Sequence, residues 1–252
     1  MAVPQGSDVE AWLCDSGGRL APVAIDVRTL CAPQPMPPCP WRFPDARLAP
    51  PNGLLAEGAD FAPSTIVAAY GAGIFPWPHE DAEYLWFSPD PRAIVPLDGL
   101  HISRRLGRTI RSGRFHVTVD AAFEQVMRAC VVRPHDGTWI TPRLIEGYTA
   151  LHHLGWAHSV EVWDPPGELA GGLYGVAVGA MFGAESMFHR QRDASKVAVA
   201  ALVQHCREIG VELLDVQVLN EHTESLGAVQ IGRDEYLGRL AAAVRGSVNW
   251  QR

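Results

Sequence analysis

Leu213 to Ala228, LLDVQVLNEHTESLGA, is the stretch on which the reading of this chain turns. The apolar residues Val211, Leu213, Leu214, Val216, Val218 and Leu219 surround one carboxylate, Asp215, and one carboxamide, Gln217. A short apolar run behind a helical pattern that ends in glycine reads as a buried strand. Residues two apart on a strand share a face, so Asp215 and Gln217 are expected side by side on a core element. A buried carboxylate is costly unless it is hydrogen-bonded or put to chemical use. For an isolated strand aspartate the ordinary reading is a structural one, a side chain that fastens a loop. Here His222, Ser225 and the helix-ending Gly227 follow, and they make a longer signature.

The preceding hundred residues alternate between the two secondary-structure periods. Phe115 to Val119 reads as a strand, and Asp120 as the cap of a helix that turns Phe123, Val126, Met127 and Cys130 to one side. Thr141-Pro142 opens a second helix, with Leu144, Ile145, Tyr148 and Leu151 inward and Gly155 as its stop. Ser159–Trp163 and Glu168–Tyr174 read as a hairpin around Asp164-Pro165-Pro166-Gly167. Val176–Glu185 is expected as a further strand, Ser195–Ile209 as a helix, and short helices run through Arg233–Val244. The fold class is therefore α/β (α+β mixed), in the hairpin, strand, helix, strand order of an acetyltransferase-like core.

Ahead of this core the chain is irregular. Residues 1–40 hold seven prolines, which excludes a regular helix or central strand there. Ala11 to Leu30 carries scattered apolar residues compatible with a small hairpin, and we read 1–40 as an extension of unknown role. Residues 41–114 form a smaller N-terminal domain with one clear helix, opened by Pro63 and stopped by Gly71 and Gly73. Residues 115–252 form the larger domain.

Composition narrows the function classes. Hydrophobic residues at 47% and charged residues at 19% suit a soluble globular chain. No apolar run approaches a membrane span, and the first residues lack a secretory pattern. Five cysteines without C-x-x-C spacing fit a reducing cytosol, so a cytoplasmic, non-membrane protein is expected, and a monomer. The net charge of −7 argues against nucleic-acid binding unless cations cluster locally. They do at Arg104, Arg105, Arg108, Arg111 and Arg114, with no acid between them. This is either a solvated helix face or a phosphate-facing patch.

The ordered motifs identify a resemblance. Asp215-x-Gln217 with His222, Ser225, Leu226, Gly227 and Ala228 is similar to the leucyl/phenylalanyl-tRNA–protein transferases of bacteria. The similarity extends through Asn52–Ala56, Gly73–Trp77, Ser88–Arg92, Thr138–Thr141, Gly171–Val176, Glu185–Phe188 and Ala194–Lys196, in the family's order. It implies a GNAT-like C-terminal domain behind a smaller N-terminal one. It also implies transfer of Leu or Phe from Leu-tRNA or Phe-tRNA to the N-terminal Arg or Lys of an acceptor protein, which tags that protein for degradation. No cofactor is needed, because the aminoacyl ester is already activated.

The resemblance supplies site residues that the chain alone leaves open. Trp77 and Trp139 read as core or as walls for a base or apolar side chain, and the family favours an aminoacyl-adenosine site. Leu173, Phe182 and Val199 match substrate-pocket positions. Glu185 is a structural cap or, by resemblance, the group that holds the α-ammonium. Ser195 is either a helix cap or part of an anion site. Asp215 and Gln217 are the catalytic candidates, and replacing either with Ala is expected to remove activity while leaving the fold nearly intact. His152, His153 and His158 invite a metal reading, but adjacent helical histidines diverge by about 100° and we assign no metal. Two alternatives remain. A CoA-dependent GNAT acetyltransferase would need a Q/R-x-x-G-x-G/A pyrophosphate loop that this chain lacks. A non-catalytic RNA-binding module would leave Asp215, Gln217 and Glu185 without a task.

Overall fold

The computed structural model describes residues 22–28, 31–78, 84–132 and 138–251. The first element, β1 (Ile25–Val27), is followed by β2 (Leu54–Glu57), helix α1 (Pro63–Gly71), β3 (Phe75–Pro76) and β4 (Leu85–Phe87). Strands β2, β4 and β3 make a small antiparallel sheet. Next come β5 (Arg92–Ile94), α2 (Arg104–Arg111), β6 (His116–Val119), α3 (Phe123–Val131) and α4 (Pro142–His153). The chain then runs through β7 (Ala157–Trp163), β8 (Leu169–Val178), β9 (Met181–His189) and α5 (Ala194–Ile209). It ends with β10 (Leu213–Gln217), α6 (Glu221–Glu224), β11 (Val229–Ile231) and α7 (Arg233–Ala243).

Eight strands form the main sheet in the order β1-β6-β7-β8-β9-β10-β5-β11. The centre is the β7-β8-β9 antiparallel meander, and α5 then carries the chain across so that β10 lies parallel to β9. This is the hairpin, strand, helix, strand order expected from the sequence. Strand alternation sorts the apolar residues into two cores. Tyr174, Met181 and Leu213 face α1, α3, α4 and α7. Leu173, Phe182 and Leu214 face α5 and the neighbourhood of α2.

Several boundaries differ from the sequence reading. Asp120 does not cap α3. It sits at φ +61°, its carboxylate accepts from Ser159 N (2.8 Å) and meets His158 Nδ1 (2.9 Å), and the cap position falls on Ala122. The hairpin's second strand runs on to Val178, and the chain reverses at Gly179-Ala180 into β9, so Val176–Glu185 is two strand ends rather than one strand. A single helix, α7, replaces the short helices expected after Arg233. Within Ala11–Leu30 the described part is a strand, β1, lying parallel to β6, while residues 1–21 and 29–30 lie outside the described residues. The proline-rich segment docks on the turn after α4, where Gln34 N donates to Leu154 O (2.9 Å) and Trp156 Nε1 donates to Gln34 O (2.9 Å).

The small sheet ends at Phe87, and residues 92–94 already belong to the main sheet, between β10 and β11. The arginine helix α2, expected within the smaller N-terminal domain, likewise packs on α5.

Gly227 shows why the last motif needs a glycine. Its φ is +95°, and a Cβ there would strike Gly99 O. A Gly227→Ala chain is expected to lose about 1–3 kcal/mol from the strained conformation alone. A urea midpoint equal to that of the parent would show that the turn relaxes freely.

Candidate active site

The site begins with a buried ion pair. Asp215 and Arg92 are 0% and 1% exposed. Arg92 Nε donates to Asp215 Oδ1 (2.9 Å) and Nη2 to Oδ2 (2.7 Å), a two-pronged contact that suits the planar guanidinium. Tyr236 OH from α7 donates to Oδ2 (2.9 Å), and Arg92 Nη1 donates to Gly73 O (3.1 Å). The guanidinium also lies over the rings of Phe75 (4.7 Å) and Tyr236 (4.4 Å). Burial opposes the Arg92 charge, but Asp215 outweighs it and holds the arginine protonated.

This pair shapes the end of β10. Gln217 N donates to Asp215 Oδ1 (2.9 Å), and Gln217 adopts φ +57°, a left-handed conformation that L-residues seldom take. Simple strand alternation therefore stops one residue before Gln217, and its orientation comes from the Asp215 carboxylate. The β9–β10 ladder ends at Asp215↔Gly183. Two residues further along, the strands are joined by side chains instead: Gln217 Nε2 donates to Glu185 Oε1 (2.8 Å).

A pocket opens where these strands part. Its polar wall includes Glu185, Gln217, Asn220 and His222, and its apolar wall includes Leu173, Val199, Leu202, Leu214 and Leu226. Glu185 is turned against two phenols. Tyr148 OH donates to its Oε2 (3.4 Å), and the Tyr148 and Tyr70 hydroxyls are 2.8 Å apart. Desolvation pushes the Glu185 carboxyl up to about 8, although the phenol hydrogen bonds oppose the shift. Burial also raises Tyr70 and Tyr148 well above the ordinary phenol value, and the adjacent Glu185 adds to it. The site thus holds a carboxyl that carries its proton at neutral pH, beside a carboxamide fixed by a second carboxylate.

The other expected residues fall around this centre. Leu173 and Val199 line the pocket. Phe182 lies behind the wall, wholly buried with its ring 4.9 Å from that of Trp250. Trp77 packs against Phe75 and Phe87 beside the small sheet, and Trp139 lies just ahead of α4, half-buried against the same core. Neither borders the pocket. Ser195 is not the cap of α5, because that position is Asp193 in a left-handed conformation. Arg104, Arg105, Arg108, Arg111 and Arg114 are all exposed on or beside α2. Arg105 pairs with Asp193 (3.4 Å), and Arg114 donates to Gln191 Oε1 (2.7 Å).

Sequence reasoning gave no role to Arg92, Tyr70, Tyr148, Tyr236 or Asn220. Arg92 ends the Ser88–Arg92 motif, so a signal was present. An arginine at the start of a short apolar strand is a natural partner for a buried aspartate. Asn220 caps α6 by accepting from Thr223 N (2.9 Å) while also lining the pocket.

Comparison with known proteins identifies the family. The model for leucyl/phenylalanyl-tRNA protein transferase matches residues 94–241, and that for its N-terminal domain matches residues 59–90. The chain belongs to the leucyl/phenylalanyl-tRNA protein transferase family. A relative named leucyl/phenylalanyl-tRNA–protein transferase from Anaeromyxobacter sp. (strain Fw109-5) is 52% identical, covering 80% of this chain and 87% of its own length. A protein of the same name from Proteus mirabilis (strain HI4320) is 51% identical over 79% of this chain and 85% of its own. Among solved structures, a ribosomal-protein-alanine N-acetyltransferase from Brucella melitensis biovar Abortus 2308 aligns with a TM-score of 0.25 at 13% identity, over 37% of this chain and 73% of that one. L-PGS from Bacillus licheniformis aligns at 0.33 and 16%, over 57% and 44%. At these levels the structural likeness decides nothing.

The geometry changes one expectation and adds another. Asp215→Ala will not leave the fold intact, because it strands the Arg92 charge in the core, a loss of about 3–5 kcal/mol. Gln217→Ala removes one side-chain hydrogen bond at the pocket edge and should cost only about 1 kcal/mol. Urea unfolding of the two variants distinguishes them, and equal losses would contradict the buried pair.

Glu185 should also leave a mark on stability. The folded chain keeps its proton up to about pH 8, whereas the unfolded chain releases it in the ordinary carboxyl range. The native state thus binds more protons in that window, and this group's contribution falls as pH rises from about 5 through 8. Glu185→Gln should flatten that part of the stability–pH curve. A curve with unchanged slope would place the proton elsewhere.

Proposed function

We propose that this chain transfers leucine or phenylalanine from aminoacyl-tRNA to the N-terminal Arg or Lys of acceptor proteins, forming a peptide bond. The observation that carries this reading is the Gln217–Glu185 contact at the mouth of an apolar pocket, in a chain of this family. The apolar wall suits a Leu or Phe side chain. Glu185, once ionised, suits the α-ammonium of the donor, and an arriving cation favours that ionisation.

The chemistry follows from the groups present. The donor is an ester and the nucleophile an α-amine with a pKa near 8, so about a tenth of it is already neutral at pH 7. No strong base is required, and positioning and charge stabilisation can supply most of the rate. Gln217 gives its amide N–H to Glu185, which leaves its carbonyl oxygen to accept from the attacking amine. Asp215 acts through the Gln217 backbone and is a positioning residue. As the amine adds, its nitrogen becomes positive, and the ionised Glu185 carboxylate at the pocket favours that charge. The tetrahedral intermediate then collapses with cleavage of the ester C–O bond, and the ribose hydroxyl leaves with the proton that the amine gives up. Trp77 and Trp139 are proposed to contact the donor nucleoside, Phe182 to back the side-chain pocket from behind, and α2 to bind the RNA phosphates. A tRNA donor fits a cytosolic activity, and we take the chain to act as a monomer.

Purified protein mixed with radiolabelled Leu-tRNA and a peptide beginning with Arg should yield leucyl-peptide. Absence of product with both Leu-tRNA and Phe-tRNA would reject this function. Gln217→Ala should lower the transfer rate by about 10²-fold, the scale found when one preorganised hydrogen-bonding group is removed from an active site.

Arg108 and Arg111 make no ion pair among the described residues. Replacing both with Ala should weaken tRNA binding and reduce the slope of log K against log salt by roughly two units. An unchanged slope would mean that α2 presents a solvated face.

A further inference from the structure

Three nitrogen bases stand on the elements that line the pocket, and the chemistry above uses none of them. Met187 lines the pocket, and His189 follows two residues later on the same face of β9, at its exposed end. Lys196 lies in the first turn of α5, three residues ahead of the pocket-lining Val199. His222 stands in the pocket wall itself, and its buried Nε2 has no hydrogen-bond partner among the described residues. Burial first, and then the charges of Lys196 and His189, lower the His222 pKa.

The acids nearby do not balance them. Asp193 is engaged by Arg105 (3.4 Å) and by Thr109 Oγ1 (3.4 Å), and Glu221 and Glu224 are exposed on α6. The first turn of α5 contains no acidic residue. Lys196 therefore adds its charge to a helix end that is already partly positive, an arrangement that favours an anion. The Arg105–Asp193 contact also joins α2 to the start of α5, so the arginine face leads directly to this lip. A polyanion lying along α2 would end here.

We propose that His189, Lys196 and His222 grip the phosphate on the 5′ side of the donor's terminal nucleoside, leaving the 3′-linked aminoacyl group to enter the pocket beyond. This inference rests on the aminoacyl-tRNA reading above. It adds a subsite to that reading, in which the RNA chain is held at a fixed distance from Gln217 and Glu185.

The test uses two probes, a hydrolysis-resistant 3′-leucylamido-adenosine with and without a 5′-phosphate, titrated calorimetrically into the full-length protein. The readout is the ratio of their affinities, which cancels general damage to the pocket. The phosphate should tighten binding to the parent chain about tenfold, as charge-assisted hydrogen bonds of this kind do. That ratio should fall towards one in Lys196→Met and in His222→Gln. His189→Gln, at an exposed strand end that tolerates substitution, should reduce it in part. A ratio of one in the parent, or a ratio unchanged in all three variants, would overturn the subsite while leaving the donor reading standing. Failure of both probes to bind the parent would remove the donor reading and the subsite together.

Discussion

The Arg92–Asp215 pair fixes more of this protein than any other contact. Two opposite charges are buried where desolvation alone would make each of them expensive. They are tolerated because nearly every polar atom is matched: Asp215 accepts from Arg92, Tyr236 and Gln217 N, and Arg92 also donates to Gly73 O. Through these bonds one guanidinium links the turn after α1, strand β10 and helix α7. The strained backbone of Gln217 follows from the same arrangement. A left-handed residue costs of order 1–3 kcal/mol and persists only where its surroundings over-determine it. Here the carboxylate holds its N–H in place.

From Gln217 outward the polar groups form a chain that includes Glu185, Tyr148 and Tyr70. Two buried phenols and a desolvated carboxyl make a poor home for a negative charge unless a cation stands beside it. The Asp215 charge below is already committed to Arg92, so in the proposed reaction Glu185 is the carboxyl left for the substrate.

Much of this was legible in the sequence. The strand around Asp215, the two helices after Asp120 and Thr141, the hairpin at Asp164–Gly167 and the family motifs all carried local signals. What escaped were facts of distance and backbone geometry. Asp120 looks like a helix cap because aspartate before a helical pattern usually is one. It lies instead at positive φ, and its oxygens are taken by His158 and Ser159. The Arg92 partnership spans 123 positions of sequence, which no periodicity can register. The same holds for Tyr148, whose place on the inward helix face was plain and whose hydroxyl contact with Glu185 was not. Leu173 and Phe182 read alike as apolar strand residues. Only the packing separates the one on the pocket surface from the one behind it against Trp250.

The position of β5 also bears on how the chain is made. Residues 92–94 sit between β10 and β11, which come from the last fifth of the sequence. On a ribosome that adds about 5–20 residues per second, roughly 6–25 s separate the synthesis of Arg92 from that of Asp215. During that interval the arginine has no carboxylate to meet, and the main sheet lacks its closing strands. The pocket is consequently among the last features to form, and a nascent chain that stops short of β10 carries neither Gln217 nor its support. The site is thus complete only once β10 and α6 have been made.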